Sequence, residues 1–302
     1  MKKLLLIAMM LTMAVGVNAQ LLYKISGNGL VKPSYIVGTH HYGNISMVNK
    51  ITGVFDALTE TEQVYGEINM DDASKADSTM YMQNAMLLPE GKTLKDYLSE
   101  DDYARLNKWL FKAMGNDLNA NTVMTQQMAR MNPSAMVTTL SILLFAKHQI
   151  GRFDPTTSFD NFFQEQAKNN NEPIGGLETL KFQTDLVFKS QPLDRQAQSL
   201  MCLIDNEEFY VENMRDMYNA YVAQDLEALE KAMDMKLNNS CDSSPEEEAA
   251  IIYNRNADWI VKMKKIMSDK PTFFAVGAGH LPGEKGVLQL LRKEGYTVEG
   301  VK

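Results

Sequence analysis

Cysteine is close to absent from this 302-residue chain: Cys202 and Cys241 stand alone, so the fold is no disulfide scaffold and holds at most one bridge. The residue directly after Val17-Asn18-Ala19 is Gln20 and not cysteine, which argues against a lipid anchor there. Basic residues are outnumbered, 30 Lys and Arg against 38 Asp and Glu, and they form no stripe, which argues against nucleic acid or anionic membrane surfaces as partners. No HExxH motif occurs, which removes the usual zinc peptidase classes. No low-complexity linker divides the chain. Histidine is scarce as well, with only four residues, so the context of each carries weight.

One long apolar run is present, at the start. Lys2 and Lys3 precede an apolar stretch over residues 4–17, too short to span a bilayer comfortably, and small residues suited to signal peptidase close it. The expectation is a signal peptide over residues 1–19, an exported periplasmic or extracellular protein, and no membrane span after cleavage. Loss of Lys2 and Lys3 takes the net charge from −8 to −10. The remaining chain of about 280 residues is long enough for one large domain with ample core. In an oxidising compartment Cys202 and Cys241 become a candidate pair.

The stretch "LLYKISGNGLVKPSYIVGTHH" reads as a β-hairpin, with strands over 21–25 and 35–38 and turn chemistry at Gly27-Asn28-Gly29. A helix is predicted over 50–58 and a short strand over 62–69. Residues 72–248 are strongly helical in composition, interrupted by a strand-like "PIGGLE" at 173–178. Phe159, Phe162, Phe163 and Ala167 share one helix face ahead of the helix-breaking "NNN". Met80, Met82 and Met86, then Met124, Met128 and Met131, recur at near-helical spacing, which adaptable core packing explains better than a soft-metal site. A helix from Pro245 to about Met267, a strand in "PTFFAVGAGH", a helix over 286–293 and a strand over 296–301 complete the pattern. Sheet segments at both ends with helices between them predict an α/β (α+β) fold: two related β-α halves in one mixed sheet, separated by a large helical insertion. The chain reads as a single domain over 20–302, with a sheet half at about 20–70, a helical middle at about 71–248 and a second half at about 249–302.

Two motifs carry the chemistry. Gly38-Thr39-His40-His41 and Gly277-Ala278-Gly279-His280 both follow an apolar strand, and strand ends are where sites on open α/β sheets collect. Alignment pairs His41 with His280; His40 faces the other way along an extended backbone and supports the site. Two imidazoles need a third ligand to hold a divalent ion. Glu67 in "VYGEIN" and Glu178 in "GGLE" both end apolar strands, and either serves as the ligand or as the base for a bound water.

On these residues the chain resembles the TraB/GumN family, related to the Tiki-type metalloproteases and more distantly to the erythromycin esterase and ChaN group. The matching stretches are "YIVGTHHYG", "VYGEIN", "FDNFFQEQAKNNNEPIGGLETLKFQ", "NRNADWI" and "FFAVGAGHLPGEKGVLQLLRKEGYTV", in the family's order and over nearly the whole exported chain. The resemblance implies a metal set of His41, Glu67 and His280, with Glu178, Arg255 and Asn256 at further positions near the cleft. It leaves Arg255 either orienting a substrate carbonyl or carboxylate, or pairing with Glu67 or Glu178. Asp160 matches another family position, where helix capping fits equally well. His40 stands where the family has an apolar residue. The Tiki members favour manganese or cobalt, while the ligand types alone also admit zinc. The implied function is an exported metal-dependent hydrolase, a peptidase acting on a peptide or protein substrate. The ChaN likeness and the pheromone-shutdown members keep non-catalytic haem binding or peptide sequestration as alternatives.

Mass-spectrometric sequencing of the exported protein is expected to find its N-terminus within a residue or two of Gln20. A full-length, membrane-embedded product would refute the leader.

Overall fold

Phe273, Phe274, Ala275 and Val276 are apolar without alternation, the pattern of a strand covered on both faces. The computed structural model, which describes residues 20–41, 43–151 and 158–302, places that strand inside a six-stranded sheet. The expected leader at 1–19 lies outside the described residues. The strands are β1 (Leu22–Gly27), β2 (Ser34–Thr39), β3 (Gln63–Ile68), β4 (Ile174–Glu178), β5 (Thr272–Gly277) and β6 (Tyr296–Gly300), in spatial order β4-β3-β5-β2-β1-β6. β4, β3, β5 and β2 run parallel, and β1 pairs antiparallel with both β2 and β6. The sheet is therefore mixed, as the alternation of helical and strand segments predicts.

Residue alternation along β2 and β5 sends side chains to two apolar layers. Ile36, Phe274 and Val276 pack with Trp259, Ile260 and Met263 of the helix Asn254–Asp269 and with Val287 and Leu291 of the helix Val287–Lys293. Tyr35, Val37, Phe273 and Ala275 face Phe159, Phe163 and Ala167 of the helix Phe159–Asn169 and Tyr221 of the helix Glu207–Val222. The aromatic face read from "FDNFF" is thus the one that lies on the sheet. A separate helical cluster gathers Leu106, Leu110, Met136, Leu140, Leu144, Leu200 and Leu203. The middle of the chain also supplies β4, which pairs with β3 and puts Glu178 opposite Ile68.

Three local readings change. The helix predicted over 50–58 is a 3₁₀ turn, Ile45–Lys50, and then a helix, Val54–Thr59; Gly53 at φ 74° lies between them in the left-handed region, where helix continuation fails. The helix from Pro245 is not uniform, because Ala249–Tyr253 forms a π turn between Pro245–Glu248 and Asn254–Asp269. Methionine packing is uneven: Met128 is buried in the helical cluster, while Met80 is 57% and Met124 is 47% exposed.

Cys202, in the helix Leu193–Asp205, is joined to Cys241 with a Cα–Cα distance of 5.5 Å and a sequence separation of 39. A loop of that length is worth about 4 kcal/mol in the chain-entropy picture. The Cys202→Ser/Cys241→Ser double variant should unfold at correspondingly lower urea. An unchanged midpoint would mean that the bridge does not constrain the unfolded chain.

Candidate functional site

The register sets the site. Thr39 at the end of β2 stands opposite Gly277 at the end of β5, and Gly66 of β3 stands opposite Ala275. Both Gly-x-x-His motifs and Glu67 therefore leave the sheet at one edge, the carboxyl ends of adjacent parallel strands. Gly38 permits this closeness, because a Cβ there would lie 2.9 Å from the Ala278 Cβ. A Cβ on Gly277 would lie 3.1 Å from Glu67 Oε1, 3.6 Å from His280 Cδ2 and 3.7 Å from His41 Nε2. The missing side chain of Gly277 thus leaves a cradle on which His41, Glu67 and His280 converge. His41 is exposed at its mouth, and Glu67 and His280 are buried.

Arg255 ties the acids together. Its guanidinium donates to Glu67 Oε2 at 2.6 Å, to both oxygens of Glu178, to the Ile251 carbonyl at 3.0 Å and to His280 Nε2 at 3.1 Å. It also lies over the Trp259 ring, 4.9 Å from the centroid. Gln183, which the sequence reading missed, donates at 2.8 Å to Glu67 Oε2 and at 2.8 Å to Glu178 Oε1. Trp259 Nε1 donates to Glu178 Oε2 at 3.1 Å. The second Glu67 oxygen, Oε1, accepts from the Gly277 N–H at 2.8 Å and borders the cradle. Glu178 has both oxygens engaged by Arg255, Gln183 and Trp259.

Asn256 orients His280. Its amide nitrogen donates to the Lys285 carbonyl at 2.9 Å, so its Oδ1, 2.7 Å from His280 Nδ1, is the acceptor. His280 then carries its proton on Nδ1 and turns the Nε2 lone pair toward Arg255. The Trp259 ring covers the imidazole at 4.4 Å between centroids. Burial pushes the His280 pKa down to about 3, with Glu67 opposing and Arg255 and His41 reinforcing, so the ring is neutral at pH 7. Burial also works against the Glu67 charge, yet the Arg255 guanidinium beside it and the Gly277 N–H keep its carboxyl below the usual carboxylate range. With His280 neutral, the standing counter-charge is Arg255.

The remaining residues singled out by sequence separate into different roles. His40 turns to the helical side, where its ring meets Tyr221 at 5.0 Å and Tyr218 at 5.8 Å, and burial followed by the His41 charge lowers its pKa to about 4. His148 contacts Glu207 at 3.3 Å in the helical layer. Asp160 does not cap its helix; Ser158 does, accepting from the Asn161 N–H. Asp160 lies in the first turn with Oδ1 buried and without a hydrogen-bond partner among the described residues, and burial with the Glu67 charge raises its pKa to about 6.

Two imidazoles and a carboxylate around a cradle that a Cβ would fill suit a small divalent cation in donor type. Among the described residues, however, no three His, Cys, Asp or Glu side chains stand in a metal-holding arrangement. Arg255 also stands at the Nε2 lone pair of His280. A cavity of about 320 Å³ opens beside the cradle, lined by His41, Arg255, Gly277 and His280 and walled by Met214, Met217, Leu229, Met233, Ile251 and Ile252.

A family model described as the TraB/PrgY/gumN family matches residues 21–300. Among curated proteins the chain is 24% identical over 310 residues to a protein named metalloprotease TIKI1 from Danio rerio, covering 88% of this chain and 60% of that protein. It is likewise 24% identical over 310 residues to metalloprotease TIKI1 from Homo sapiens, covering 88% and 59%, and 24% identical over 313 residues to metalloprotease TIKI2 from Xenopus tropicalis, covering 88% and 57%. The chain thus spans about three fifths of the length of these relatives. No solved structure matches.

Removing one partner of a buried ion pair costs about 3–5 kcal/mol, because the other charge is left uncompensated. Arg255→Ala should destabilise by that order in urea unfolding. Adding Glu67→Gln and Glu178→Gln should recover most of it. Equal stability of the single and triple variants would refute the charge argument.

Proposed function

We propose, on the premise that this chain belongs to the TraB/PrgY/gumN family, that it is an exported hydrolase that cuts peptide bonds with the help of a divalent cation. The observation that carries the reading is the convergence of His41 Nε2, Glu67 Oε1 and His280 on the space beside Gly277, at the mouth of a cavity. The metalloprotease names of the relatives support the reaction class. His41, Glu67 and His280 would hold the ion, and the family resemblance favours manganese or cobalt over zinc. Bound there, such an ion supplies a nucleophilic water at neutral pH and polarises a carbonyl.

The chain's own residues divide the remaining work. Of the two acids, Glu67 presents an oxygen to the cradle, so the ligand role would fall to it. Glu178, with both oxygens engaged by Arg255, Trp259 and Gln183, anchors Arg255. Arg255 borders the cavity and orients the substrate carbonyl or carboxylate. Asn256 fixes the His280 tautomer, which keeps Nε2 available as a donor of electrons. For His280 to serve as a ligand, Arg255 must give up its bond to Nε2 while keeping those to the two acids.

The test is a mass-spectrometric screen of a peptide library with added manganese or cobalt and after chelation. Cleavage should need the ion, and Glu67→Gln and His280→Ala should each lower it by more than the about 10- to 100-fold that loss of an outer-shell partner costs. His148→Ala should leave it unchanged, and the wild type should melt higher with the ion than without. Activity that survives both chelation and His280→Ala would overturn the metal-dependent reading. Peptide or haem bound without any cleavage would favour the non-catalytic alternatives.

A further inference from the structure

The cavity beside the cradle differs in character from the site it adjoins. Met214, Met217, Leu229, Met233 and Ile252 form its wall, an apolar surface next to buried charge. Methionine side chains are unbranched and polarisable, so such a wall adapts to apolar groups of several shapes. Polar groups line it too, Tyr221 and His40 among them. Thr39, at the end of β2, is 3% exposed and lines the cavity, and its Oγ1 has no hydrogen-bond partner among the described residues. A buried hydroxyl is rarely left unpaired without a reason. Ile251 also borders a second cavity of about 380 Å³, lined among others by Ser134, Thr138 and Ser190.

We propose that the first cavity is the subsite for one bulky apolar side chain of an extended peptide, and that the Thr39 hydroxyl hydrogen-bonds that residue's main chain. The peptide continues across Ile251 into the second cavity. Its occupant is an extended chain rather than a compact molecule because the two cavities share only that one ridge residue. The inference rests on the peptidase reading for its place in the reaction, and on the cavity alone for its chemistry.

Two measurements separate the two. The first is kcat/KM of the wild type on peptides that differ only at the residue flanking the cut bond, with Ala, Leu, Met, Phe or Asp there. The second is fluorescence anisotropy of the same labelled peptides on the uncleaving Glu67→Gln variant. Both should rise by about 10- to 100-fold from Ala to Leu or Phe, and Asp should be rejected. Thr39→Val should weaken binding by about 5- to 10-fold. It should do so with no fall in melting temperature, since it removes a hydroxyl that has no partner among the described residues. Met214→Lys should erase the apolar preference and Met214→Leu should restore it. Cleavage that is indifferent to the flanking residue, or binding untouched by Thr39→Val, would overturn this inference and leave the peptidase reading standing. If no peptide is cut, the peptidase reading falls and the anisotropy series still decides: the same apolar ranking supports the subsite, and no binding overturns it.

Discussion

One buried guanidinium organises the edge of this sheet. Arg255, with a side chain 9% exposed, sits between Glu67 at 7% and Glu178 at 4%. Three such groups out of water are costly unless each is paired and its hydrogen bonds are met. Here they are: Gln183 bridges the two acids, Trp259 donates to one, and the Gly277 N–H donates to the other. The constraint reaches far along the chain. Glu67 comes from β3, Glu178 from β4 and Gly277 from β5, so the cluster closes only when those three strands pair in parallel and in register. The helix that carries Arg255 must also lie on the Phe274 and Val276 face, which the burial of Trp259, Ile260 and Met263 ensures.

The outline of that arrangement was legible because burial and glycine leave strong marks on sequence. Unbroken apolar runs announced β2 and β5, and a carboxylate closing an apolar strand flagged Glu67 and Glu178. Two Gly-x-x-His motifs, in a chain with four histidines, pointed to one shared place. The parallel pairing of β2 with β5, which no motif states, is what brings them together.

What was not legible depends on long-range partners. Gln183 looks like any helical glutamine until β3 and β4 are seen to flank it. The pairing of Arg255 with both acids was one of several options from sequence, since no local pattern states which carboxyl a guanidinium will reach. Asp160 and Ser158 compete for the same capping role by composition, and only backbone geometry awards it to Ser158. Periodicity marked Met80 and Met124 as core, although spacing shows which residues share a face and not whether that face is covered. The π turn at Ala249–Tyr253 has no reliable sequence sign, yet it sits directly ahead of Arg255 and leaves the Ile251 carbonyl accepting from that guanidinium.

Charge balance links this framework to the proposed chemistry. One guanidinium serves two acids, and its bonds lie mainly on Glu178 and on Glu67 Oε2, away from the cradle. Among the described residues Glu67 Oε1 accepts only a backbone N–H, a weaker counterweight than a full charge. A cation beside Gly277 would therefore meet the less compensated oxygen of the pair, and His41 and His280 are the other residues that would hold it. The glycine matters for the same reason as the charge. Any side chain at residue 277 would fill a position from which Glu67, His41 and His280 are all within contact distance.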